Sequence, residues 1–205
     1  MTKVTPYNST ESKKKQVTKM FDNIAGSYDF LNHTLSLGMD NIWRKTAIKK
    51  LSINTSKILD IATGTADFAI SAAKYTNANI TGIDISQGML DIGVEKISKK
   101  GLTDRIQLQL ADSENLPFQD NSYDAITAGF GVRNFENLNK GLSEMHRTLK
   151  PGGVVAILEP SEPTYFPLKQ FYKLYFHHIL PFIGGIISKD KNAYSYLPDS
   201  VSAFP

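Results

Sequence analysis

The sequence predicts an α/β fold with a Rossmann-like, doubly wound and mostly parallel sheet. Short apolar runs alternate with helical patterns between residues 57 and 158, and parallel strands need such a crossover between them. The first run leads through a turn of small residues, 62–66, directly into a helical pattern. A chain of 205 residues with 41% hydrophobic residues can form one domain with a substantial core. Within it we expect a helical cap over 1–50, the α/β core over 51–162 and an insertion over 163–205.

The predicted cap begins with a helix near Ser12. Four apolar residues follow the helical spacing i, i+3, i+4 and i+7: Val17, Met20, Phe21 and Ile24. Residues 27–40 are rich in aromatic and apolar side chains but are interrupted by Asn32, His33 and Gly38, so we expect an irregular segment there. Asp40 is placed to cap the next helix.

The core contains five apolar runs typical of strands, with helical patterns between them. These runs cover residues 57–61, 79–84, 105–110, 123–128 and 154–158. Pro151-Gly152-Gly153 ends the helix before the last run, and Val154–Leu158 is continuously apolar, as in a buried parallel strand. Because only five runs precede a turn-like ending, we expect the chain to be cut short.

Composition excludes several classes of protein. The net charge of +3 is too small to indicate nucleic acid by itself, and we interpret the cluster Lys13, Lys14, Lys15 and Lys19 as a solvated helix face. The absence of cysteine excludes disulfides, Cys-zinc sites and thiol catalysis. There is no apolar signal core and no run of 18 uncharged apolar residues, so we expect a cytoplasmic protein without a membrane span.

The turn after the first strand indicates a ligand site. Its small side chains let a ligand approach the backbone, and the free N–H groups of the next helix favour an anion. Asp84 ends the second strand, 24 positions after Asp60, where a carboxylate can accept hydrogen bonds from both hydroxyls of a ribose. The pattern predicts an adenosine-containing cofactor.

The details of the turn favour S-adenosylmethionine over a dinucleotide. A dinucleotide site needs Gly-x-Gly-x-x-Gly, whereas this turn contains Gly64 as its one glycine. The methionine carboxylate of S-adenosylmethionine needs one helix N-terminus, and acidic residues suit its cationic half. The polar pair Asp112-Ser113 follows the third strand, where adenine would lie.

Three stretches carry a resemblance to a known family: Tyr28–Trp43, Arg147–Ser161 and Tyr194–Val201, strengthened by Gly129–Asn134. From about residue 12 onward the chain resembles class I S-adenosylmethionine-dependent methyltransferases, and more narrowly the ubiquinone/menaquinone biosynthesis C-methyltransferase family. The resemblance implies methylation of a prenylated quinol ring, with demethylmenaquinol favoured over the ubiquinol precursor. It also implies that the last two strands of a seven-stranded sheet lie beyond Pro205.

The predicted cofactor contacts lie in and beside the strand ends. By position, the resemblance implies contacts from Thr65, Asp84 and Asp112-Ser113. The whole predicted set is Asp60, Thr63, Gly64, Thr65, Asp84, Ile85, Asp112, Ser113 and Gly129. Gly129 stands where some family members carry a serine, so its contact would come from the backbone. Asp67 is a candidate for orienting the cofactor's ammonium group or, alternatively, an ordinary first-turn carboxylate.

Methylation of a ring carbon requires alignment, exclusion of water and help with proton loss from a ring hydroxyl. It requires no metal, and we expect none. The pair Arg133-Asn134, just after the fourth strand, is the first catalytic candidate; arginine stays protonated, so it would stabilise a phenolate or order a water. The alternative is a structural salt bridge from Arg133 to Glu136. His33 is a further candidate that would contact the quinol or serve a structural hydrogen bond.

Substrate contacts are expected from aromatic and polar residues of the cap and the insertion: Tyr28, Asn32, Phe130 and Tyr172. The aromatic stretch 165–187 is a candidate groove for the prenyl tail, with Lys169 and Lys173 at the level of lipid headgroups; the alternative is ordinary core. We therefore expect peripheral contact with the inner membrane surface, and a homodimer is compatible with this interpretation.

Other functions remain open at this stage. The chain could methylate another small molecule, or act as a non-catalytic cofactor-binding subunit of a quinone-synthesis assembly. An NAD oxidoreductase is disfavoured by the single glycine of the turn. Nucleic-acid methylation is disfavoured because the sequence has neither a basic stripe nor an aromatic-flanked base-flipping motif.

Overall fold

The computed structural model describes residues 4–7, 9–36, 38–51, 54–174 and 190–204. The described strands form one parallel sheet in the order β3-β2-β1-β4-β5. They are β1 (Lys57–Ile61), β2 (Asn79–Asp84), β3 (Ile106–Leu110), β4 (Tyr123–Gly129) and β5 (Leu149–Leu158). The predicted doubly wound parallel sheet is confirmed. Strand order reverses between β1 and β4, and ligands of such sheets bind at the carboxyl ends of the strands beside that point.

Helices cover both faces of this sheet and add a cap at its carboxyl edge. They are α1 (Lys13–Leu35), α2 (Met39–Ile48), α3 (Asp67–Tyr75), α4 (Gln87–Lys99), α5 (Leu138–Thr148), α6 (Leu168–Leu174) and α7 (Lys191–Ser202). A short 3₁₀ helix, Val132–Asn134, follows β4. Ser12, Ser86 and Asn137 each accept a hydrogen bond from a backbone N–H of the first turn, which fixes where α1, α4 and α5 begin.

The core lies around the central strand β1. Ile58, Leu59 and Ile61 have no exposed surface, because parallel strands are covered on both faces. On one face the small side chains of Ala69 and Ala72 let α3 pack closely against the sheet. This close packing holds the turn between β1 and α3 in place.

The cap differs from the sequence prediction. Residues 27–35 are not irregular but continue α1, because Ile24 and Leu31 lie on one buried helical face with Tyr28 between them. The break comes only at Gly38, whose φ of 74° no ordinary residue adopts easily. The prediction that Asp40 caps α2 is also wrong: Gly38 occupies the N-cap position, and Asp40 is buried inside a polar network.

β5 is longer and more exposed than predicted. It begins at Leu149, and its register with β4 shifts between Tyr123 and Ala125, which accommodates the Pro151-Gly-Gly turn within the strand. Val155 and Ile157 are 37% and 43% exposed, because β5 is the end strand of the sheet that the structure describes. The prediction that this run is buried is therefore wrong for these two residues.

Most of the predicted aromatic groove, 165–187, lies outside the described residues, because these do not include 175–189. Tyr165 and Phe166, at its start, are 70% and 81% exposed. Among the described helices, none is long and apolar enough to cross a bilayer.

Candidate active site

Two adjoining cavities open at the carboxyl edge of the sheet. The first, the strand-end cleft, contains about 660 Å³ of space, its open mouth included, and lies between the ends of β1, β2, β3 and β4 and the N-terminal half of α1. The second, the cap pocket, contains about 1210 Å³ counted in the same way and lies under α1, α2 and α7. Four residues line both cavities: Phe21, Tyr28, Phe130 and Asn134.

Asp84 is the fixed carboxylate of the strand-end cleft. One of its oxygens accepts a hydrogen bond from the N–H of Gly64 at 2.8 Å, and the other accepts one from the N–H of Ser86 at 2.9 Å. Burial raises the pKa of Asp84 above its usual range. Each oxygen can accept further hydrogen bonds, so the site holds a preset acceptor for a ligand.

The turn after β1 leaves its backbone open to the cleft. Gly64 has a φ of 55°, and a Cβ at this position would meet no protein atom within 4 Å. The space beside it is therefore available to a ligand, as the small-residue pattern predicts.

Lysines of α1 close the far end of the cleft. The Lys14 ammonium donates to Asp112 at 2.7 Å and to Glu114 at 3.2 Å. The Lys13 ammonium donates to the carbonyls of Arg133 and Phe135. The interpretation of the lysine cluster as a solvated face is therefore wrong for Lys13 and Lys14. These two side chains hold α1 over the cleft. The sequence contains no local signal for such a long-range contact.

The nine predicted cofactor contacts separate into two groups. Six line the cleft: Gly64, Asp84, Ile85, Asp112, Ser113 and Gly129. The side chains of the other three point elsewhere: Thr63 and Asp60 bond each other at 2.6 Å, and Thr65 bonds Asp29 at 2.5 Å. The geometry gives these three side chains a role in holding the turn rather than in touching a ligand.

Asp60 has no exposed surface. Its other oxygen accepts a hydrogen bond from Thr127 on β4 at 2.6 Å, so it links β4 to the turn after β1. Burial raises the pKa of Asp60 to about 6.

Phe130 stands between the two cavities in a left-handed backbone conformation, with a φ of 61°. Its carbonyl accepts hydrogen bonds from Arg133 at 2.5 Å and from Asn134 at 3.3 Å, and its N–H donates to Leu158 at 2.7 Å. These contacts hold a conformation that phenylalanine rarely adopts.

Arg133 and Asn134 both line the cap pocket, and hydrogen bonds to other side chains fix the position of each. The guanidinium of Arg133 pairs with Glu159 at 2.7 Å and donates to Ser200 of α7 at 3.2 Å. Arg133 thus forms a structural salt bridge, as the alternative interpretation expected, but its partner is Glu159 and not Glu136. Asn134 accepts a hydrogen bond from the Tyr196 hydroxyl of α7 at 3.0 Å, and burial raises the pKa of Tyr196 to about 12.

The wall of the cap pocket is largely apolar. Its apolar lining includes Met20, Ile24, Met39, Trp43, Ala193 and Leu197. Among the predicted substrate contacts, Tyr28, Asn32 and Phe130 line the pocket. Burial raises the pKa of Tyr28, which a hydrogen bond with Asn32 opposes. Tyr172, on α6, lines neither cavity.

His33 does not line the cap pocket, and its contacts fit the structural alternative rather than contact with the quinol. One ring nitrogen lies 2.7 Å from Asp40, and the other lies 3.3 Å from Asp67. The Lys96 ammonium bonds Asp67 at 2.5 Å and Asp29 at 2.6 Å, so a protein cation occupies the centre of this carboxylate cluster. His33 and Asp67 therefore tie α1, α2 and α3 together.

The sheet order, the open turn after β1 and the carboxylate at the end of β2 match the fold of the class I S-adenosylmethionine-dependent methyltransferases. Solved structures agree on the fold. A methyltransferase from Aquifex aeolicus superposes with a TM-score of 0.54 at 22% identity, covering 72% of this chain and 78% of that chain. The [4+2]-cyclase SpnF superposes with a TM-score of 0.63 at 22% identity, covering 74% and 62%. Because a cyclase shares the fold, the fold alone does not define the activity.

The model of the ubiE/COQ5 methyltransferase family matches residues 9–205, and the chain belongs to this family. The demethylmenaquinone methyltransferase of Bacteroides fragilis is 50% identical, covering 99% of this chain and 84% of the relative. That of Porphyromonas gingivalis is 44% identical over the same shares. The ubiquinone/menaquinone biosynthesis C-methyltransferase UbiE of Geotalea daltonii is 47% identical, covering 94% and 83%. The family predicted from the sequence is confirmed.

Proposed function

We propose that this methyltransferase adds a methyl group to a ring carbon of a prenylated quinol, and that demethylmenaquinol is its substrate. The observation that carries the proposal is the large apolar cap pocket, which adjoins the strand-end cleft through Tyr28 and Phe130. The names of the Bacteroides and Porphyromonas relatives support the choice of quinol.

The residues of the strand-end cleft fit S-adenosylmethionine. Asp84 would accept hydrogen bonds from the ribose hydroxyls, and Asp112-Ser113 would face the adenine. The open backbone at Gly64 would admit the methionine end near the start of α3. When bound, S-adenosylmethionine supplies an electrophilic methyl group on a positively charged sulfur.

The cap pocket would bind and orient the quinol. Its ring would lie beside Phe130 and Tyr28, and its prenyl tail would follow the apolar wall formed by α1, α2 and α7. Removal of water by this wall strengthens every polar interaction inside the pocket.

Arg133 would stabilise the negative charge that develops on a ring oxygen as its proton leaves. Its guanidinium stays protonated, and Glu159 fixes its position. The loss of that proton makes the neighbouring ring carbon nucleophilic. That carbon would accept the methyl group while the sulfur keeps the electron pair of the bond that breaks. Water in the pocket would take up the proton of the ring hydroxyl and, after transfer, the proton of the methylated carbon.

The mouth of the cap pocket supports access from a membrane surface. Met39 and Trp43 line the pocket and are 46% and 38% exposed, and Phe30 of α1 and Ile42 of α2 are 61% and 63% exposed. Three exposed lysines lie at the end of α2 and in the turn after it: Lys45, Lys49 and Lys50. Apolar groups beside basic ones suit the headgroup region of an anionic bilayer. We therefore assign the proposed peripheral membrane contact to this edge of the cap.

The test is transfer of labelled methyl from S-adenosylmethionine to reduced quinone in detergent, with demethylmenaquinone and a prenylated benzoquinone precursor compared. The proposal predicts label in the naphthoquinol product and its loss in Asp84→Ala. Label only in the benzoquinol would replace the substrate but keep the enzyme class. Binding of S-adenosylhomocysteine by calorimetry, with no label in either quinol, would contradict the quinol assignment.

The membrane contact has a separate test: sedimentation with vesicles of phosphatidylcholine and phosphatidylglycerol. Ile42→Ser should reduce the bound fraction, whereas Val94→Ser, which removes an apolar side chain of similar exposure from α4, should not. An equal loss in both variants would contradict the assignment to the cap.

A further inference from the structure

We propose that Phe130 is the specificity-determining residue for the ring of the substrate, and that Asn134 is a positioning residue that acts through its backbone. This inference rests on the proposed quinol methylation. Beyond that function, it states that Phe130 favours a bicyclic ring over a monocyclic ring. It also gives a physical reason for the position of the Phe130 side chain.

The side chain of Phe130 lines both cavities, so it lies where a methyl acceptor would approach the methyl donor. On the cap side its ring meets the Trp43 ring edge-on, with ring centroids 6.4 Å apart. The guanidinium of Arg44 lies 5.9 Å from the centre of the Phe130 ring. The Phe130 ring is therefore held from two sides.

The backbone of Phe130 is strained and fastened at the same time. A left-handed φ at a bulky residue carries a free-energy cost that surrounding contacts must offset. Here the carbonyl accepts from two side chains, Arg133 and Asn134, and both side chains are held in turn by other partners. Strain fixed by several contacts beside a ligand cavity is a common property of functional residues.

The strained conformation has a consequence for the site. The left-handed turn directs Phe130 into the junction of the cavities, while its carbonyl faces Arg133 and Asn134. A fixed aromatic ring favours offset or edge-on contact with another aromatic ring. A naphthoquinol offers a second ring for that contact, and a benzoquinol does not.

The experiment compares kcat/KM for two quinols that carry the same prenyl tail, one a naphthoquinol and the other a benzoquinol. In Phe130→Leu the preference for the naphthoquinol should fall by about threefold to tenfold, which corresponds to the free energy of one contact between two aromatic rings. Phe130→Tyr keeps the ring and should keep the preference. Phe118→Leu is the matched control, because Phe118 packs on Tyr123 outside both cavities.

Binding of S-adenosylhomocysteine, measured by calorimetry, separates a folding defect from a change of specificity. The proposal requires this affinity to stay within about threefold of wild type in Phe130→Leu while the ratio of the two kcat/KM values changes. An unchanged ratio in Phe130→Leu would overturn it. If wild type methylated neither quinol, the proposed function would fail, and the inference would fall with it.

A second pair of variants tests the strained backbone. Phe130→Ala keeps a Cβ in the left-handed region and Phe130→Gly removes it, while both lack the ring. We expect the glycine variant to have the higher Tm, because glycine adopts positive φ without a steric penalty. A lower Tm for the glycine variant would contradict the strain. Asn134→Ala removes a hydrogen bond to the Phe130 carbonyl and should lower the ring preference without moving the pH profile of kcat. An unchanged ring preference, or a shifted profile, would contradict the positioning role of Asn134.

Discussion

The strand-end cleft and the cap pocket share one edge of the sheet, but different contacts hold their walls. In the cleft, Asp84 accepts hydrogen bonds from the backbone of Gly64, 20 residues away, and of Ser86, two residues away. Around the cap pocket, helices from distant parts of the chain meet through side chains, as in the Tyr196–Asn134 contact across 62 residues. The carboxylate and the turn of the cleft are thus fixed by backbone contacts at the edge of the sheet, although lysines of α1 reach across to close its far end. The walls of the pocket depend on long-range contacts between side chains.

The largest loss of stability is expected when a charge is removed from the polar network beneath the cap. Arg44 and Asp40 form a buried pair at 2.5 Å, with side chains 7% and 3% exposed. Arg44→Met leaves Asp40 buried without its main cation, so we expect the free energy of unfolding to fall by about 3 to 5 kcal/mol. Urea unfolding measures this change.

The matched control is Lys99→Met, which breaks the exposed pair of Lys99 and Glu95. This change should cost about 0.5 kcal/mol or less. Similar costs for the two variants would show that the network does not hold the cap.

The next effect concerns the cleft. Asp84→Ala removes the carboxylate proposed to bind the ribose, and hydrogen bonds to a charged group contribute about 1.5 to 3 kcal/mol each. We expect the affinity for S-adenosylhomocysteine to fall by about 100-fold, as measured by calorimetry. Asp91→Ala, on the exposed face of α4, is the control and should leave the affinity unchanged. If the affinity of Asp84→Ala fell by less than about threefold, Asp84 would not be a cofactor contact.

The two regions also differed in how well the sequence predicted them. β1 and β2 have the predicted bounds because each is a local apolar run: β1 ends at Ile61, before the turn of small residues, and β2 ends at Asp84. Gly64 and Asp84 line the cleft as expected for the same reason. Asp60 and Thr65 have the right residue types and positions, but the side-chain direction that buries them depends on Thr127 and Asp29, far away in the sequence.

The cap pocket was predicted less well because its contacts are long-range. Glu159 and Tyr196 both lie in stretches that carried the family resemblance, yet nothing local to Glu159 indicates that it pairs with Arg133. The polar residues Asn32 and His33 suggested a broken helix, whereas their side chains bond neighbours and leave α1 intact. A helix interior accepts polar residues when tertiary contacts satisfy them.

A third effect is the pH dependence of stability from Asp60. Because burial raises its pKa to about 6, the folded state holds this proton more tightly than the unfolded chain, where the pKa is about 4. The resulting stabilisation is fully present below about pH 4 and is lost as pH rises through about 6.

Asp60→Asn stays neutral at every pH. Relative to wild type, it should therefore gain about 2 to 3 kcal/mol of stability between about pH 4 and pH 7, measured by urea unfolding at both pH values. A difference between the two proteins that does not depend on pH would show that Asp60 titrates normally.

The smallest effect concerns the contact between α7 and the 3₁₀ helix. Tyr196→Phe removes the hydroxyl that donates to Asn134, which should cost about 1 to 2 kcal/mol of stability. We expect kcat for the quinol to fall severalfold while the affinity for S-adenosylhomocysteine is retained. Tyr165→Phe, at an exposed position, is the matched control and should change neither quantity. If both variants had the same stability and the same kcat, the hydrogen bond from α7 to Asn134 would not contribute to the quinol pocket.

The most direct test of the division into two sites is a crossed measurement of KM for S-adenosylmethionine and for demethylmenaquinol. Asp84 lines only the strand-end cleft, and Trp43 lines only the cap pocket. We predict that Asp84→Ala raises the KM for S-adenosylmethionine by about tenfold or more, and that Trp43→Leu raises only the KM for the quinol. If each variant raised both KM values equally, the two cavities would not be separate sites for cofactor and substrate.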